Sequence, residues 1–411
     1  RRPPIYTLFP NTTLFRSVSV LSLSVSAHNN SSNKLINLSQ QLLGSDSKLT
    51  IGGYGEVHYN QVLNNDIRNA GLLDPHRMVL FFGYNFSEKT KFVTEIEMVS
   101  ANTIWVEQMF LQQTLNSYID LRAGVLLIPM GLINEYHEPT NFNGVERPII
   151  DNLLAPSTWR EVGIGASGTI LPLSMKYQLY LINGPSSYDG TKGLINGATG
   201  FRGGRQNASK TFITSPNYAA RIDYFGINRL SLGLSGYVGN TQSKLYDNLA
   251  ESNHAMKMKA DSSVVGISMI GADARYNLNG LELRGQFYYT LFSNTEKYNK
   301  FTRTGTGTNV SFNDVGTSAM GYYVEAGYNV FRPLNTEMEL VPFVRYQTYD
   351  LHHTVNTNMT KNSAYNVDII TAGLTLKLTK GAVVKTDVDF AKAANATNRT
   401  ITLNAGFGLT F

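Results

Sequence analysis

Cysteine is absent from the 411 residues. That absence removes a disulfide framework, a thiolate nucleophile and any cysteine-based zinc site together. Charge is also scarce, with Asp, Glu, Lys and Arg making up 16% of the chain. No run of 18 or more apolar residues occurs. The nearest, Val125 to Ile133 (VLLIPMGLI), is short and broken by Pro129. A transmembrane helix is thereby excluded, whereas a membrane barrel built from strands is not.

Tyrosine and phenylalanine are abundant, at 23 and 20 residues against 2 Trp. Mean hydropathy is only −0.17. A wall that alternates apolar-out and polar-in keeps the average near zero while its interface girdles consume aromatic residues, so this combination suits a barrel in lipid.

The N-terminal stretch is set apart from the fold. Ser17 to Ala27 (SVSVLSLSVSA) is a small-apolar run behind Arg16, closing on Val25-Ser26-Ala27. It predicts the end of a secretory signal cleaved before His28, the alternative being a buried strand. The preceding residues have no n-region logic and resemble translated adapter sequence, so 1–27 is read as a non-native start plus a signal remnant. Residues 1–27 carry Arg1, Arg2 and Arg16 and no acids. Removing these three from 35 basic residues leaves 32 against 30 acids, a net charge of +2. The sequence pI of about 9.0 is thus partly a precursor effect and does not argue for nucleic acid. Residues 28–47 read as a polar periplasmic tail with a helical turn around Leu35–Leu43, and 48–411 as the barrel.

Period two dominates the remainder. In Arg399 to Phe411, Ile401, Leu403, Ala405, Phe407, Leu409 and Phe411 share one face, and Thr400, Thr402, Asn404, Gly406, Gly408 and Thr410 the other. About sixteen such strands are expected, near 48–59, 75–86, 91–100, 103–115, 118–127, 160–170, 174–183, 216–226, 229–239, 262–277, 281–292, 318–330, 337–349, 365–378, 382–392 and 399–411. Each is long enough to cross a membrane when tilted. Seven tight turns alternate with mostly long connections at 60–74, 128–159, 184–215, 240–261, 293–317 and 350–364. Tight turns gathered at one end and long loops at the other are the rhythm of an all-β, antiparallel transmembrane barrel in an outer membrane.

Tyr118–Ile133 (YIDLRAGVLLIPMGLI), then Asn143-Gly-Val-Glu-Arg147 and Trp159-Arg-Glu-Val-Gly-Ile-Gly165, resemble the phosphate-selective porin O/P family, most nearly its Bacteroidetes-like members. The opening Gly52-Gly-Tyr-Gly-Glu56, Val106-Glu107 and the terminal Phe411 fit the same likeness. The resemblance implies a sixteen-stranded homotrimeric channel of a Gram-negative outer membrane. It also implies a third outer loop folded inward as a constriction, and an anion preference carried by lumen Arg and Lys.

Strand parity supplies candidate residues. Arg122, Lys176, Arg221, Arg275, Arg284, Arg345 and Lys385 should face the lumen. So should the acids Glu56, Glu95, Glu97, Glu107, Asp223, Asp273, Glu282, Glu325, Glu339, Asp387 and Asp389. Cations lining a pore replace the hydration of a passing anion. On single faces, however, Arg221 neighbours Asp223, Arg275 neighbours Asp273 and Arg284 neighbours Glu282, which reads more readily as salt-bridge networks stiffening the wall than as an anion ladder, and the wall looks mixed, with no basic bias. Loop 128–159 brings Glu135, His137, Glu138, Glu146, Arg147 and Asp151, with Arg160 opening the next strand. Folded inward, Arg122, Glu135, His137, Glu138, Arg147 and Arg160 would set pore size and charge; outside, the loop would be a cap.

His352-His353 reads as a solvated pair in an outer loop. No cofactor or metal is expected, and no signature pairs His58, the lumen histidine, with a nucleophile, so an enzyme is not expected either. The expected surroundings are outer-membrane lipid and small hydrophilic solutes or anions. An adhesion or structural barrel, and a barrel hydrolase, stay open as alternatives.

Overall fold

The computed structural model describes residues 37–63, 67–304, 311–334 and 336–411. The expected signal remnant and most of the tail lie outside the described residues. The strands are β1 (Leu49–Leu63), β2 (Leu72–Asn85), β3 (Thr90–Val99), β4 (Thr103–Asn116), β5 (Ile119–Leu127), β6 (Arg160–Ile170), β7 (Met175–Ile182), β8 (Ser186–Tyr188) and β9 (Asn217–Ile227). They continue with β10 (Leu230–Asn240), β11 (Gln242–Ser243), β12 (Gly266–Leu278), β13 (Leu281–Ser293), β14 (Ser318–Tyr328), β15 (Glu339–Thr354), β16 (Asn366–Thr379), β17 (Ala382–Ala393) and β18 (Thr400–Thr410). Sixteen form one closed antiparallel barrel, sealed where β1 pairs with β18 from Tyr54↔Thr410 to Leu63↔Ile401. Closure leaves no unpaired edge, the condition for strands to cross lipid. The two short strands β8 and β11 pair with each other outside the wall.

The period-two pattern acts as expected. On β18, Phe407 and Leu409 face outward and exposed while Asn404 is buried inside. Outward apolar side chains recur around the wall, among them Met98, Ile164, Leu234 and Val324. Short turns gather at one end, as between β4 and β5 or β12 and β13, and longer connections at the other.

Two boundaries moved for local reasons. Strand β12 begins at Gly266 rather than 262 because His254–Ser262 forms a helix, whose Asn253 side chain accepts from Met256 N at 3.1 Å. Strand β15 runs to Thr354, so His352 is not in a solvated loop. It is fully buried, its Nε2 2.6 Å from the Asp314 carbonyl and its Nδ1 accepting from Asn362 N at 3.1 Å.

The described part of the tail enters the barrel instead of trailing from it. Asn37 caps α1 (Leu38–Leu43), accepting from Gln40 N at 2.8 Å. Leu38 and Leu42, one turn apart, bury against Tyr54, Val79 and Phe81 on the inner wall at the short-turn end. Apolar burial is why this nominally polar segment does not remain in solvent.

Candidate pore constriction

The connection 128–159 between β5 and β6 folds into the lumen. Gly131 permits the turn: its φ is +69°, and a side chain there would collide with the Tyr288 hydroxyl. The loop then bonds to wall strands around most of the circumference. Glu146 lies 3.0 Å from His58 on β1 and His137 lies 3.3 Å from Glu95 on β3, while Thr158 donates to Glu107 on β4. Gln178 on β7 donates to Glu135 at 2.7 Å. Opposite, Gln286 and Tyr288 on β13 donate to Asp151 at 2.7 and 2.9 Å, and Asn143 donates to Glu325 on β14 at 3.0 Å. Ile149 N donates to Gln347 on β15 at 2.9 Å, Val145 N to Asp387 on β17 at 2.7 Å, and Thr140 meets Thr410 on β18 at 3.2 Å.

The outer half of the lumen beside β7 to β14 is apolar. Ile128, Met130, Ile150, Leu154 and Trp159 of the loop pack there with Tyr180, Tyr237, Tyr288 and Tyr323 of the wall and with Phe201 from an outer connection. Trp159 sits 4.7 Å from the Tyr237 ring and 5.0 Å from that of Phe201. Burial pushes the Asp151 carboxyl up to about 7, and its second oxygen has no partner.

Below this packing the wall is polar. Arg122 donates to Gln112 at 2.9 Å and Tyr180 at 3.1 Å, its guanidinium 5.2 Å from the Phe110 ring centre. Lys176 reaches the Tyr136 hydroxyl at 3.5 Å. Arg221 is clamped by Asp223 and Asp273, each at 2.7 Å. Arg284 pairs with Glu282 at 3.3 Å and Glu325 at 3.9 Å, and Arg345 with Glu325 at 2.7 Å. Lys385 sits 3.8 Å above the Phe142 ring, its ammonium without a hydrogen-bond partner. Wall networks therefore exist at Arg221, Arg284 and Arg345. The expected Arg275–Asp273 pair does not form, because Arg221 takes Asp273 across β10 and leaves Arg275 with no carboxylate partner among the described residues.

Several loop residues serve the loop itself. Glu138 accepts from Leu38 N at 2.9 Å and Asn141 at 2.7 Å, so it holds α1. Arg147 donates to the His137 carbonyl at 3.0 Å and Ser157 at 3.2 Å, bracing the loop internally. Arg160 is buried between Thr158 at 3.2 Å and Glu107 at 3.7 Å, with Trp105 beneath it. Glu135 and His137 are likewise buried. The docking of α1 was not foreseen; the spacing of Leu38 and Leu42 was the available signal.

No protein-family model matches the chain. Its fold is similar to an anion-selective porin from Comamonas acidovorans, at 13% identity and TM-score 0.56, covering 88% of this chain and 99% of that one. It is also similar to the outer membrane channel DcaP of Acinetobacter baumannii, at 10% identity and TM-score 0.52, covering 88% and 97%. The barrel with its inward loop is a Gram-negative outer-membrane protein of porin fold. In sequence it is 30% identical over 337 residues to an uncharacterized protein of Aquifex aeolicus (strain VF5), covering 80% of this chain and 72% of that one. The chain belongs to the family of that Aquifex protein.

Proposed function

We propose that the chain is a passive diffusion channel for small hydrophilic solutes, favouring anions, and not an enzyme. The carrying observation is the contrast between lumen acids and lumen bases. Three lumen acids are hydrogen-bonded or paired: Glu135 by Gln178, Asp387 by Val145 N and Asn404, Asp273 by Arg221. Arg122, Lys176, Arg275 and Lys385 have no carboxylate within ion-pair distance among the described residues, and the Arg275 Nε and Lys385 Nζ have no hydrogen-bond partner there. Cationic side chains without a carboxylate partner attract an anion. The sweep Arg122, Lys176 and Arg275 runs over β5 to β12, where the loop meets β7 through Gln178 and Lys176.

Phosphate as the preferred anion, and a homotrimer, extend this reading through the O/P resemblance, which the Comamonas fold supports only in its anion preference. A signal remnant at 1–27, ahead of the tail and barrel, belongs to the same reading. Against hydrolysis, the two His58 ring nitrogens face Glu56 at 3.3 Å and Glu146 at 3.0 Å. One observation favours a second reading, an adhesion or structural barrel: the apolar packing of the outer half lumen. Reversal potential across a planar bilayer under a salt gradient tests the main reading. An anion-directed potential supports it, a cation-directed one removes the anion preference, and no current favours the structural barrel.

A further inference from the structure

We propose that Glu95, Glu107 and His137 bind one divalent transition-metal ion, which clasps loop 128–159 to the wall at β3 and β4. The three residues come from three separate elements, are buried, and place one ligand atom each within 4.8 Å of one another. His137 Nδ1 lies 2.9 Å from the Asn134 carbonyl. A carbonyl only accepts, so Nδ1 carries the hydrogen and a neutral ring keeps its lone pair on Nε2, the arrangement typical of a metal-binding histidine.

That lone pair faces Glu95 Oε1 at 3.3 Å and Glu107 Oε2 at 3.4 Å. Three electron-pair donors converging in a buried space need a cation between them, either a proton or a metal ion. The spacing favours the metal. A charge-assisted N–H···O bond closes to about 2.7–2.9 Å. Ligands held about 2.0–2.1 Å from a tetrahedral ion stand roughly 3.3–3.4 Å apart.

The surroundings orient the same atoms. Gln108 donates to Glu95 Oε2 at 2.7 Å and Thr158 donates to Glu107 Oε1, so these oxygens are taken; Glu95 Oε1 and Glu107 Oε2 turn toward the imidazole, the latter also 3.5 Å from the Tyr54 hydroxyl. A β-bulge puts Glu107 there: Glu95 pairs with Gln108 but Ile96 pairs with Val106, so Glu107 is the additional residue and both it and Gln108 are buried.

The neighbouring carboxylates have cations of their own: Glu56 and Glu97 pair with Arg77, Glu56 and Glu146 with His58, and Arg160 lies 3.7 Å from Glu107, while Glu95 has His137 alone among the described residues. A carboxylate and imidazole set without sulfur suits Zn²⁺, Mn²⁺ or Fe²⁺.

The test uses the full chain, folded in detergent, stripped with EDTA and dialysed against Zn²⁺, Mn²⁺ or Fe²⁺, with bound metal measured by mass spectrometry. Folding is checked by the faster gel migration of an unheated barrel. One ion per chain is expected, with affinity at least tenfold lower in His137→Gln and in Glu95→Gln, which keeps the hydrogen bond from Gln108 in shape. Folded wild-type protein that takes up none of the three ions overturns the proposal. So does equal uptake by whichever of the two variants folds.

Discussion

Arg275 on β12 stands directly opposite Arg284 on β13 in the register of the wall, and both are partly exposed to the lumen. Like charges so placed cost roughly 0.2–1 kcal/mol in a sheet. Arg284 recovers this through Glu282 and Glu325, but Arg275 has no such compensation. In the proposed anion-favouring pore the pair would serve the permeant ion. Arg275→Glu should therefore stabilise the pair while shifting the anion-to-cation permeability ratio several-fold toward cations. Reversal potentials of variant and wild type check it, and an unchanged ratio would place the filter elsewhere.

Arg345 and Glu325 couple the wall to the loop. The pair is buried, and the same guanidinium donates to the Asn143 carbonyl while Asn143 donates to Glu325. Removing one partner of a buried pair leaves the other uncompensated, at a cost of about 3–5 kcal/mol. Arg345→Ala should lower the temperature at which the barrel unfolds on heat-modifiability gels and loosen the loop, seen as larger and noisier single-channel currents.

Asp151 supplies a pH dependence. Its carboxyl is raised to about 7 by burial, against hydrogen bonds from Gln286 and Tyr288 and the charges of Arg147 and Arg345. A raised acid contributes stability that is fully present below its unfolded value, near 4, and is lost as pH rises through about 7. Loop docking should thus be firmer at pH 5.5 than at pH 8.5, with channel noise rising between them. Asp151→Asn, which keeps the acceptor, should flatten that dependence.

The barrel was legible because membrane crossing imposes period two on every strand, and β18 or β13 shows it without help. The long connections were harder to read. Parity put Asp273 and Arg275 side by side, but which cation takes a carboxylate depends on side chains from β9 reaching across β10, a relation no single strand encodes. His352 looked solvated because Asp350, His352 and His353 are polar, yet an outer connection supplies the Asp314 carbonyl that lets His352 be buried. The inward loop was expected from resemblance, but its attachment to nine wall strands was not. Those bonds join residues up to 270 positions apart.

The tail gives a test of internal filling. Leu38 and Leu42 are buried on the inner wall, each contributing roughly 1.5–3 kcal/mol relative to exposure. A chain beginning at Lys48 should still close its barrel, since β1 and β18 pair without the tail, but should conduct more than the full chain. Equal conductance would mean that α1 lies clear of the permeation path.

The most direct test of the central claim is single-channel recording in planar bilayers across a series of KCl concentrations. Discrete openings are expected, with a conductance that rises with salt and falls when phosphate or another small anion competes for Arg122, Lys176 and Arg275. Folded protein that inserts yet passes no current at any salt concentration would contradict it and leave the structural barrel as the reading.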